Sequence, residues 1–104
     1  AAFLRATNRA IVECIANPAA AVAAVRQREP ILDEKTELAR WAITTQYIAA
    51  ADTKSHGLGD FSKRLLEQQV DSVVQTFALK TTPSADALFN SSMLPPKSVR
   101  MLKA

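Results

Sequence analysis

His56-Gly57-Leu58-Gly59-Asp60 contains both glycines of this 104-residue chain. One helical pattern runs into the stretch and another leaves it. Its reading decides between a strand-loop-helix phosphate binder and an array of helices. Glycines beside a helix start can cradle a phosphate, but the dinucleotide fingerprint needs a preceding buried strand and a third glycine opening the helix. Neither is present here, and no lysine-serine/threonine pair follows as in a P-loop. The stretch therefore predicts a helix stop, a reversal with Gly57 or Gly59 in a left-handed conformation, and a new helix capped by Asp60.

Outward from this turn, the apolar spacing is helical on both sides. Upstream, Phe3, Leu4, Thr7, Ala10, Ile11, Cys14 and Ile15 mark a helix over about Ala2 to Ala16. Asn17-Pro18 suits the cap and first position of a second helix, which runs through small residues to about Arg28 and stops before Pro30. Asp33 caps a third, with Glu34 and Glu37 in its first turn and Leu32 placed to pack on Leu38. Its inner stripe is Leu38, Trp41, Ala42, Thr45, Ile48 and Ala49, with Tyr47 off the stripe and partly exposed. The pattern weakens at Asp52-Thr53-Lys54-Ser55.

Downstream, the fourth helix is predicted over about Phe61 to Leu79. Phe61, Leu65, Leu66, Gln69, Val73, Val74 and Phe77 form its stripe, with Val70 at the edge. Thr82-Pro83 opens a short helix through Phe89, Asn90-Ser91-Ser92 reads as a loop, and Pro95-Pro96 excludes helix interior. Ser98 to Leu102 suggests a last turn, and Lys97, Arg100 and Lys103 make the tail basic. No alternating run marks a strand. The expected fold is all-α within a single segment, 1–104, comprising four main helices over 1–80 and a short fifth with a proline-containing tail over 81–104.

Composition excludes several classes. Hydrophobic residues make up 48% of the chain and charged ones 22%, ordinary for a folded domain. A chain of this length buries roughly 65% of its unfolded surface, enough for one modest core. The net charge of +3 is spread over thirteen basic and ten acidic residues, which is no nucleic-acid patch. The connection at Gly57 is also longer than the three or four residues of a DNA-reading helix pair, so no nucleic-acid partner is expected. No run reaches the length of a membrane span.

Chemistry-bearing residues are sparse. Cys14 lies on an apolar stripe and reads as core, with no basic neighbour to activate it. Trp41 reads as a core aromatic whose indole N–H finds one acceptor. His56 is a lone histidine in a polar loop. Asp33, Glu34 and Glu37 read as capping and dipole chemistry rather than metal ligands. The expectation is no catalytic, metal or cofactor site, and no enzyme.

The order of landmarks resembles the C-terminal segment of ABC-transporter solute-binding proteins of the nitrate/sulfonate/taurine and thiamine-precursor type. The residues that carry it are Asn17-Pro18-Ala19-Ala20-Ala21-Val22, Glu29-Pro30-Ile31-Leu32-Asp33, the Gly57-Leu58-Gly59-Asp60 turn, Thr76-Phe77-Ala78-Leu79-Lys80, and Leu88-Phe89 through Met93-Leu94-Pro95-Pro96. The resemblance implies a periplasmic parent about three times as long, with two α/β lobes closing on a small molecule and delivering it to a membrane permease. Most of the cleft would lie upstream, so no ligand-binding residue carries over. Fungal enzymes of thiamine-precursor synthesis are similar too, but their histidine- and cysteine-rich motifs are missing here. A segment cut from such a lobe is expected to self-associate through Phe3, Ile11, Trp41 and Phe77, or to be marginally stable. The alternative is an independent helical protein-interaction module.

Overall fold

The computed structural model describes residues 1–103, and among them there are helices and no strand. The four main helices are α1 (Ala2–Ala16), α2 (Pro18–Arg28), α3 (Glu34–Ile48) and α5 (Lys63–Thr76). Between the last two lies α4 (Ala51–His56), and after them come α6 (Ala85–Leu88), a 3₁₀ turn (Ser91–Met93) and α7 (Lys97–Arg100). Where the sequence suggested only a weakening, the chain breaks at Ala49-Ala50 and restarts as α4. The expected loop at Asn90-Ser91-Ser92 is the 3₁₀ turn, held by Asn90 Oδ1 accepting from the Ser92 amide at 2.9 Å.

The first three helices form one unit, and polar ties fix its corners. Asn17 ends α1 and begins α2, its Oδ1 accepting from the Ala20 amide at 3.2 Å. Asp33 caps α3 through the Thr36 amide and hydroxyl, both at 2.8 Å. Arg26 spans the α2–α3 corner, donating to the Leu32 carbonyl at 3.0 Å and to Glu34 at 2.8 Å. The Trp41 indole N–H donates to the Cys14 carbonyl at 3.0 Å, tying α3 to the end of α1. Val22 is buried at the centre of this unit.

The second unit pairs α5 with α6. Phe61 and Phe89 stack with ring centroids 4.6 Å apart, Lys63 reaches Asp86 at 2.9 Å, and Val70 and Ala85 are buried. Three expectations for α5 are corrected here. The cap is Ser62, whose Oγ accepts from the Leu65 amide at 3.2 Å, because Asp60 is drawn elsewhere. The helix runs from Lys63 to Thr76, since Ala78 turns left-handed (φ 48°) and the Leu79 amide folds back to the Val74 carbonyl. Val70 sits at the centre of the packed face, not its edge, while Gln69, Val73 and Phe77 are exposed.

Little of this molecule is buried. Phe3 and Phe77, both on expected inner stripes, are 78% and 70% exposed, and Tyr47 and Ile31 face solvent almost completely. The radius of gyration is 16.7 Å, against about 13 Å for a compact domain of this size. The accessible surface is 7870 Å², roughly 2,100 Å² more than size scaling gives for an 11.3 kDa monomer.

Candidate functional site

The glycine turn is built around one side chain that the sequence reading left in a basic tail. Arg100 is only 6% exposed. Its Nε donates to the Pro95 carbonyl at 2.8 Å, and its Nη1 donates to the carbonyls of His56 and Leu58, each at 3.0 Å. Its Nη2 lies 3.6 Å from Asp60, and its own carbonyl accepts the Leu58 amide at 2.9 Å. Gly57 (φ 85°, ψ 165°) and Gly59 (φ 76°) both take positive φ, as expected. At Gly57 that conformation is open almost only to glycine. A side-chain carbon there would also stand 3.0 Å from Arg100 Cβ, so the bare backbone is what lets the arginine seat.

This arrangement has the wrong polarity for a phosphate cradle. The amides of Gly57, Leu58 and Asp60 are all spent on carbonyls within the protein, those of Thr53, Arg100 and Gly57. What the turn presents inward is carbonyl oxygen, and a guanidinium already satisfies it. Asp60 does not cap the helix because one oxygen accepts from the Phe61 amide at 3.0 Å and the other faces Arg100. Asp52 closes the turn from α4 by accepting the Ser62 amide at 2.7 Å, a bond that holds its carboxyl below the ordinary value.

A second feature is an open hollow of about 310 Å³ between the first three helices. Cys14, Val22, Val25 and Trp41 line it, with the Glu37–Arg40 ion pair (2.7 Å) at its edge. Trp41 therefore keeps its expected single acceptor and also borders a concavity that sequence could not show. The hollow is apolar enough for a hydrophobic side chain and has few polar groups to orient a small ligand. A comparable apolar hollow of about 320 Å³ lies on the second unit beside Leu66, Val73, Leu79 and Leu88.

The remaining candidates are dispersed. Asp33 caps α3, and the Thr36 amide holds its pKa low. Glu34 pairs with Arg26 and Glu37 with Arg40. Among the described residues no three histidine, cysteine or acidic side chains converge as a metal site. His56 is half-buried at the end of α4, more enclosed than a polar loop suggested, and does not line the Trp41 hollow. Lys63 is held by Asp86, which pushes its pKa up, and Arg64 reaches Gln68 at 3.3 Å. Among the described residues no helix is long and apolar enough to cross a membrane. Comparison with family models, curated proteins and solved structures finds no match to this chain.

Proposed function

We propose that the chain is the C-terminal helical part of the periplasmic solute-binding component of an ABC transporter. Its parent binds a small organic or inorganic solute and hands it to a membrane permease. The role is binding rather than chemical conversion. One observation carries the reading beyond the order of its sequence landmarks: apolar residues on helical stripes stay exposed, and the surface exceeds that of a self-contained domain by roughly 2,100 Å². Helices that complete a larger lobe have this character, because their inner faces are covered by chain that precedes them.

The test is the encoded reading frame and its product. The expected result is a protein of two lobes with an upstream export signal, whose purified form gains thermal stability from one member of a panel of nitrate, sulfonates and pyrimidines. A reading frame confined to these helices would overturn the proposal. It would favour the independent interaction module, for which the Trp41 hollow and exposed Phe77 are the supporting features.

A further inference from the structure

We infer that residues 94–102 form a strap across α1 that is closed by a single clasp, Arg100, and opens as a unit without unfolding α2 and α3. The inference does not rest on the parent proposed above. The strap's apolar burial is modest: Pro95 is buried, Leu94 and Leu102 are half-buried, and Val99 is 53% exposed, while its other buried residue is Arg100. Its polar ties converge on one point. Three bonds from the guanidinium and one to the Arg100 carbonyl join it to the glycine turn or to itself. A fifth, from Asn8 Nδ2 to the Val99 carbonyl at 2.9 Å, joins it to α1. Beneath the strap, Leu94, Pro95 and Arg100 face Leu4 and Ile11 of α1 across a gap of about 80 Å³. Asn8 Oδ1 is shielded there without a protein partner.

Such an arrangement is cooperative in a particular way. The guanidinium satisfies carbonyls from two segments of chain at once, so losing it leaves several buried acceptors without donors together. Segments with few apolar contacts and short helices open locally at lower free energy than packed helices do. Opening bares Leu4 and Ile11 beside Phe3, which is already exposed, and extends that apolar surface along α1.

Hydrogen exchange on the full chain tests this, read at the Leu58 amide, whose bond to the Arg100 carbonyl crosses from turn to strap, and at Thr45 for α3. In the wild type, Leu58 exchanges slowly, and Thr45 more slowly. Arg100→Met speeds Leu58 by about a hundredfold, the scale of leaving buried acceptors without donors, and leaves Thr45 within about threefold. Gly57→Ala attacks the clasp from the other side and reproduces the pattern. Three results would each overturn the inference: Leu58 unprotected in the wild type, Leu58 unchanged in both variants, or Thr45 accelerated in step with the strap.

Discussion

Ala78 is the one non-glycine residue among those described with positive φ, at 48°. It ends α5 in the position where helices favour glycine, and the Leu79 amide bonds back to the Val74 carbonyl at 3.0 Å. A Cβ in the left-handed region costs about 1 kcal/mol, partly offset by the smaller entropy of an unfolded alanine. Ala78→Gly is therefore expected to raise stability by about 0.5 kcal/mol in a denaturant titration; a loss would mean the methyl packs better than its strain costs. Asp52 gives a pH-dependent counterpart. The Ser62 amide depresses its folded pKa below the ordinary 3.8. The folded state thus binds that proton more weakly than the unfolded chain does. The stabilisation is complete above the unfolded value and disappears as pH falls through the folded one. Thermal melts from pH 5 downward should show wild type losing more stability than Asp52→Asn, in which the Asp33 cap still contributes a slope of the same sign; equal slopes would refute the Asp52 bond. Arg100, by contrast, was illegible beforehand. Its partners are backbone carbonyls, one of them five positions away and the other two 42 and 44, and a carbonyl has no sequence signature.

At the scale of elements, legibility followed the chemistry of helix ends. Asn17-Pro18 and Asp33 act locally, through amides three residues on, so a reader of sequence can place them. Asp60 failed as a cap because Arg100, forty residues downstream, competes for its carboxylate and Ser62 stands free to replace it. Faces are harder than ends. On α5 several stripes satisfy a helical period, and which is buried depends on where α6 lies. The covered one centres on Val70, against which Ala85 is buried. Val70→Ala should cost about 1–2.5 kcal/mol, while Gln69→Ala, on the position first placed inside, should stay within about 0.5 kcal/mol. Denaturant midpoints for the two variants check the assignment, and similar costs would mean that α6 does not dock as described.

For the whole molecule the decisive quantity is uncovered surface. A standard interface buries about 800 Å² on each partner, and obligate assemblies bury more. The roughly 2,100 Å² by which this chain exceeds a compact monomer is on the obligate scale. Phe3, Ile31 and Phe77 on that surface are helix or corner residues whose apolar atoms gain by leaving water, whatever covers them. In a two-lobed parent that cover is upstream chain. In the isolated chain the available cover is another copy, so weight-average mass in sedimentation should rise with concentration. Phe77→Ser and Phe3→Ser should each reduce the rise without lowering helical content, because neither side chain is packed within its own copy. The Trp41 hollow should respond differently. Trp41→Ala removes the indole N–H from the Cys14 carbonyl and is expected to destabilise the first three helices by about 3 kcal/mol, with association changing only as a consequence. A chain that stays monomeric at high concentration with a cooperative melt would show that these faces tolerate water, and would remove the support that exposed surface gives to a covered, lobe-bound role.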